Sequence, residues 1–321
     1  MSTAQSGRPA PVMPGAADAV LASRGRSFHW ARRWLGPTHA ANATRLYAFC
    51  RYLDDLADDA PSAGHGRIAL DAVRDAVIAC RAIDPVVADG LALMQECRID
   101  LAVMLELISG VRSDLEPVRM ADETELLRYC YRVAGTVGLM MCSVLGVNDP
   151  TAFRHAIDLG IGMQLTNICR DVSEDAAMGR RYLPASLLGD IAPEALMAPV
   201  ARLHPRLRST LAALLADAER YYASGEQGLA YLPANARLGV LVAARLYRQI
   251  GRALARRHYA CWEERTVVSR GAKIAVTGCA LWQTATGPWP DPRSVRHDPM
   301  LHAALAGLPG TALPALAPHA A

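Results

Sequence analysis

Several chemistries are missing from this chain. None of its eight cysteines forms a Cys-x-x-Cys pair, and its nine histidines form no His-Glu-x-x-His spacing. Zinc and disulfide frameworks are therefore not expected, and reduced cysteines fit a cytosolic compartment. Only three phenylalanines are present, and no alternating strand pattern is bounded by hairpin turns. No apolar run reaches the roughly 20 residues that span a bilayer. Residues 1–16 lack the apolar core of a signal peptide. The formal net charge of +3 comes with no basic block, which argues against nucleic acid as a partner. Gly160-Ile161-Gly162 lacks both a preceding strand and a third glycine, so it is no nucleotide loop.

What is present is alanine, leucine and other helix formers, in a chain that is 52% hydrophobic, and this composition predicts an all-α protein. Helical patterns run over 18–34, 38–59, 66–82, 86–110, 122–146, 150–175, 204–226, 230–258 and 259–284. They fit one helical domain over 18–285, between a disordered tail at 1–17 and an irregular Pro/Ala-rich tail at 286–321.

Two of these segments end in acids. On a helix, Asp54 and Asp58 lie about 40° apart, and Tyr47 and Arg51 fall within about 60° of Asp54. Leu46, Phe49, Leu53 and Leu56 point the other way. The stop at residues 60–64 puts the acids at the helix C-terminus, where the macrodipole disfavours each anion by roughly 0.3–1 kcal/mol. A solvated acidic end explains one such segment. The chain repeats the arrangement at Asn167, Asp171 and Asp175, which share an arc of about 80° with Gln164. Two instances of a costly arrangement point to a bound cation.

Ligands that are all oxygen, with no histidine or cysteine nearby, select a hard cation, Mg²⁺ before Zn²⁺ or Cu²⁺, with Mn²⁺ as the alternative. Mg²⁺ takes few carboxylates and completes its shell with water and phosphate oxygens. Arg51 stands one turn before Asp54, and Arg170, Arg180 and Arg181 bracket the second cluster; guanidinium forks suit phosphate. The pattern therefore predicts a cradle for metal and diphosphate.

The quoted segments, with Ser27-Phe28, residues 129–138 (Tyr-Cys-Tyr-Arg-Val-Ala-Gly-Thr-Val-Gly) and 179–184 (Gly-Arg-Arg-Tyr-Leu-Pro), resemble the squalene/phytoene synthase family of trans-isoprenyl diphosphate synthases, its bacterial phytoene synthase branch above all. The resemblance runs from about residue 19 to about 275. It implies an isoprenoid-synthase helical bundle around a central cavity, and head-to-head (1′-1) condensation of two prenyl diphosphates. It implies Asp54, Asp58, Asp171 and Asp175 as catalytic, and Asp54, Asp55, Asp58, Asn167, Asp171 and Asp175 as the metal-binding set. Substrate contacts are implied at Arg24, Arg26, Ser27, Tyr47, Arg51, Gln164, Arg170, Arg180, Tyr182, Tyr247 and Arg265. If the substrate is geranylgeranyl diphosphate, the product is phytoene and no NADPH is expected. Farnesyl diphosphate would instead give squalene, presqualene diphosphate or dehydrosqualene. A non-catalytic assembly-factor-like relative is the rival of another class, disfavoured by two intact acid clusters. An apolar product implies transient membrane-surface association, a cytoplasmic or inner-membrane-face location and a downstream desaturase as partner.

Gly135 and Gly138 lie inside an apolar helical segment, where each costs about 1 kcal/mol relative to alanine. Close helix packing and a helix thinned to admit an isoprenoid chain both explain them; at Gly160 and Gly162 packing is the better reading.

Overall fold

A computed structural model describes residues 26–312, with side chains from Phe28 onward; the expected tail at 1–17, Arg24 and the side chains of Arg26 and Ser27 lie outside it. Among the described residues there is no strand, only an isolated bridge between Arg119 and Arg181.

The helices are α1 (Arg26–Ala31), α2 (Pro37–Asp58), α3 (Ala63–Ile78), α4 (Pro85–Cys97), α5 (Leu101–Ser113), α6 (Glu123–Cys130), α7 (Thr136–Val144) and α8 (Pro150–Arg170). They continue with the short α9 (Val172–Ala177), α10 (Ala185–Leu188) and α11 (Glu194–Met197), then α12 (His204–Gly228), α13 (Ala234–Arg256) and α14 (Arg270–Thr286). A π-helical turn, Tyr131–Gly135, joins α6 to α7.

The expected helix over 122–146 is interrupted by that π-helical turn, and three others also differ from those observed. The pattern over 86–110 is two helices, because Arg98 turns left-handed (φ 54°) and the Asp100 carboxylate caps α5 by accepting from Ala102 N. The pattern over 150–175 breaks at Asp171, which closes α8 and precedes α9. The pattern over 259–284 starts only at Arg270, where Ser269 caps α14, after left-handed turns at His258 and Tyr259.

α8 is the spine of the bundle, packing against α7, the π-helical turn, α12 and α13, with Ile157, Ile161, Leu165 and Ile168 buried in the main core. Two glycines set how closely its neighbours approach. A Cβ on Gly138 would lie 2.2 Å from the Ala156 carbonyl oxygen, and one on Gly160 2.3 Å from that of Ala134. Both contacts are backbone, which cannot swing aside, so close packing is decided at both positions.

The described part of the segment from 287 carries no α-helix, yet it is seated on the bundle. Leu301, Leu305 and Leu308 enter the main core, and Tyr131 and Tyr221 donate to the carbonyls of Pro309 and Leu301. The deepest anchor is Asp158, fully buried on α8. It accepts from His297 Nε2 at 2.8 Å, from His302 Nε2 at 2.9 Å and from the Ser224 hydroxyl. Burial would raise this carboxyl, but the hydrogen bonds from His297 and His302 prevail and hold it below the usual carboxylate range. Because the Ser224 proton is committed to Asp158, His155 Nδ1–H must donate to Ser224 Oγ, at 2.9 Å, while its buried Nε2 has no hydrogen-bond partner.

Burial, opposed by Asp158, pushes the His155 imidazole from 6.5 down to about 4. The neutral form is favoured by folding, so this stability is complete above pH 6.5 and is lost as pH falls toward 4. The gap is worth on the order of 3 kcal/mol. We therefore expect urea unfolding between pH 7 and 4 to show a steeper loss for the wild type than for His155→Gln. Equal slopes would contradict the assignment of a buried neutral imidazole.

Candidate active site

A cavity of about 330 Å³ opens between α2, the π-helical turn, α7, α8, α12 and α13, a size typical of small-molecule sites. Along α8 its wall is a helical stripe of Ala152, Ala156, Leu159, Met163, Gln164 and Asn167. The polar end lies where α2 and α8 finish. There Asp54, Tyr47, Gln164, Asn167 and Tyr247 all border the cavity, and the Phe28 ring sits 6.0 Å from Tyr47 and 5.6 Å from Tyr247. Gly138 and Gly160 border it too, so their close packing also shapes the chamber.

The two acid motifs face each other across this end. Arg180, just after the second, reaches Asp58 in the first at 3.0 Å. Arg51 pairs with Asp55 and lies 3.9 Å from Asp54. Arg170 forks onto Asp171, which Arg265 also holds at 2.9 Å while reaching Glu174 at 3.4 Å. Although α8 ends at Asp171, Asp175 N still donates to the Asp171 carbonyl at 2.8 Å, which keeps the two acids one turn apart.

Asp114 was not anticipated. It caps the C-terminus of α5 and accepts from Tyr182 at 2.7 Å and from Tyr129 at 2.9 Å; those two rings stack 4.7 Å apart. Tyr182, expected at the substrate, instead has its hydroxyl turned onto Asp114. Arg181, which brackets the motif in sequence, is buried and donates to the Met120 and Leu183 carbonyls and to Asp190, a structural role.

Carboxylates exceed guanidiniums here. Asp54, Asp55, Asp58, Asp114, Asp171, Glu174 and Asp175 meet Arg51, Arg170, Arg180 and Arg265, seven against four among the described side chains. Asp54 lines an open cleft and keeps 47% of its side-chain exposure. The surrounding protein still withdraws enough water to push its carboxyl up to about 7, against the pull of Arg51 and with the push of Asp58, Asp114 and Asp55. Burial raises Asp114 to about 6 despite Arg180 and the two tyrosines. Burial and Asp171 raise Asp175 well above the usual range. Asn167 Oδ1, meanwhile, is buried at the same end without a hydrogen-bond partner.

Crowded carboxylates and an orphaned amide oxygen are donors of the kind that suit a hard divalent cation. A different group, Asp158, His297 and His302, has ligand atoms within 4.8 Å of one another, but hydrogen bonds account for it and it belongs to the anchor described above.

A model of the squalene/phytoene synthase family matches residues 21–272. The chain belongs to this family. Among curated relatives it is 36% identical to the 15-cis-phytoene synthase of Paracoccus sp. over 275 residues, which cover 83% of this chain and 90% of the relative. It is 33% identical to the phytoene synthase of Pseudescherichia vulneris, with the same coverage. Among solved structures, a dehydrosqualene synthase in complex with ligand superposes with a TM-score of 0.73 at 27% identity, covering 85% of this chain and 96% of that one. The squalene synthase of Alicyclobacillus acidocaldarius shares the fold, with a TM-score of 0.68 at 22% identity over 77% of this chain and 94% of its own. The isoprenoid-synthase helical fold and prenyltransferase activity of the squalene/phytoene synthase family thus apply to this chain.

Asp114 touches both acid motifs only through its charge and through Tyr182, Tyr129 and Arg180, so it is a positioning residue. Asp114→Asn should weaken divalent-cation binding roughly 10–100-fold, read as the cation concentration needed to raise the melting temperature. A lower melting temperature with an unchanged cation response would assign it a structural role alone.

Proposed function

We propose that the protein condenses two geranylgeranyl diphosphates head to head, through prephytoene diphosphate, to phytoene in carotenoid biosynthesis. The observation that carries this reading is the length of the apolar wall. From Gln164 to Ala152, α8 rises about 18 Å along the cavity. An isoprenoid main chain has four bonds per unit where a peptide has three. An extended unit therefore spans roughly 4–5 Å, four units roughly 16–20 Å and three only roughly 12–15 Å. The wall fits a C20 chain better than a C15 chain, and the relatives named phytoene synthase support the same choice.

Asp54, Asp58, Asn167, Asp171 and Asp175 would hold Mg²⁺, with Asp55 kept beside them by Arg51. Held there, Mg²⁺ would supply positive charge to offset that of a departing diphosphate. Arg51, Arg170, Arg180 and Arg265 are paired with acids in the structure; diphosphate oxygens would take over those guanidiniums as the acids turn to metal. Arg24, Arg26 and Ser27 complete the substrate contacts in this reading. Gln164 stands at the junction of polar and apolar walls, where C1 would lie. The rings of Phe28, Tyr47 and Tyr247 present π-faces suited to an allyl cation, and the apolar walls keep water from quenching it. Proton loss discharges the final cation, so no NADPH is consumed. The hydrocarbon leaves into lipid, which places the protein at the inner membrane face while it works, next to a desaturase. Among the described residues no helix is long and apolar enough to cross a membrane.

Incubation with Mg²⁺ and labelled C15 or C20 diphosphate, with and without NADPH, tests the reading. We expect phytoene from the C20 substrate without NADPH; squalene from the C15 substrate, formed only with NADPH, would overturn it. Asp54→Ala and Asp171→Ala should each lower turnover by roughly 10²–10³-fold or more with the fold intact. Near-normal rates would refute the metal assignment.

A further inference from the structure

α14 breaks the rule for an outer helix. Its inner face is ordinary: Thr277 and Ala280 are buried, Trp30 Nε1 donates to Thr277 Oγ1 at 2.9 Å, and the helix packs on α13. Its outer face should be polar. Instead Ile274, Ala275, Gly278, Leu281, Trp282 and Ala285 are exposed, Ile274 at 62% and Trp282 at 71%. No charged residue occurs from Ile274 to Thr286, a rise of about 18 Å. The hydroxyls that could soften this face are already engaged, with Thr284 and Thr286 donating to the Ala280 and Trp282 carbonyls of their own helix.

The surroundings indicate what covers it. Between Arg265 and Pro290 there is no carboxylate, while Arg270 and Lys273 mark the start of the helix. Val267, just before it, is 65% exposed. Two further cations sit on tryptophans that border α14 or its partners: Arg33 lies over Trp30 at 5.3 Å and Arg237 over Trp289 at 4.6 Å. A protein interface would ring such an apolar core with a polar, charged rim, and the stretch from Ile274 to Ala285 offers no charged side chain for one. A bilayer surface needs neither. It rewards an apolar face with an interfacial tryptophan and a basic end.

We propose that the outer face of α14 docks on an anionic lipid surface, with Ile274, Leu281 and Trp282 entering the headgroup boundary and the exposed Arg270 at its start meeting lipid phosphates. This rests on the reading that the product is a free hydrocarbon. It adds a route for that product: α13, on which α14 packs, supplies Gly239, Val240, Ala243 and Tyr247 to the cavity wall. Docking on α14 would leave two helices, α13 and α14 itself, between cavity and bilayer.

Flotation of the full chain with vesicles of phosphatidylglycerol and phosphatidylcholine, and with phosphatidylcholine alone, tests the assignment. Binding should need the anionic lipid and fall with salt. Ile274→Glu with Trp282→Glu should cut vesicle binding at least ~10-fold, and Arg270→Glu should weaken the preference for anionic lipid. Turnover in detergent micelles should be unchanged in both variants, and their melting temperatures should match the wild type. Undiminished vesicle binding by the Ile274/Trp282 variant would overturn the proposal. So would a wild-type chain that ignores vesicles but forms a dimer abolished by those substitutions. If the wild type floats with vesicles through this face but makes no hydrocarbon, the docking surface stands and the catalytic reading fails.

Discussion

Everything at the working end of this protein follows from one electrostatic imbalance. One helix, α2, ends in aspartate and two more, α5 and α8, are capped by one, so carboxylates gather where the helix dipoles already repel them. Four arginines answer seven acids among the described side chains. The remainder shows in Asp54, Asp114 and Asp175, whose carboxyls all hold their protons more tightly than usual. A fold under selection for stability alone would relieve such crowding with one or two neutral side chains. Its persistence makes sense if the site is complete only with a cation and an anion present.

The scaffold converts that charged rim into a place for chemistry by standing it at the end of an apolar chamber. α8 performs both tasks, with Gln164 and Asn167 at one end of a stripe that continues as alanine, leucine and methionine. Glycines let the π-helical turn and α7 touch its backbone directly. The far end is stiffened by a carboxylate with no exposure at all, Asp158, which ties the segment around His297 and His302 to the spine.

Much of this was legible because helical period is strict. Asp54, Asn167, Gln164 and Tyr47 share faces in the sequence and meet at the cavity in space. Asp114 was missed although it carries the same sign, an acid at a helix C-terminus, because its neighbour Glu116 stands at i+2 and no acid at helical spacing draws attention to it. The break at Arg98 escaped because a left-handed residue other than glycine leaves no compositional mark, though Asp100 was readable as a cap. The segment beyond 286 looked irregular by composition. Its seating depends on Asp158 and Tyr221, more than 70 residues away in sequence, and no local pattern could announce it.

If the carboxylate excess is the organising constraint, neutralising it should stabilise the empty protein and disable its response to metal. The most direct measurement is the melting temperature of the wild type and of Asp54→Asn with Asp175→Asn, each with and without Mg²⁺ plus inorganic diphosphate. We expect the wild type to melt several degrees higher when both ions are present, since binding to the folded state stabilises it by mass action. The double variant should melt higher than the wild type without ions and gain little from them. A wild type indifferent to the ions, or a double variant that melts lower and still responds fully, would contradict the account.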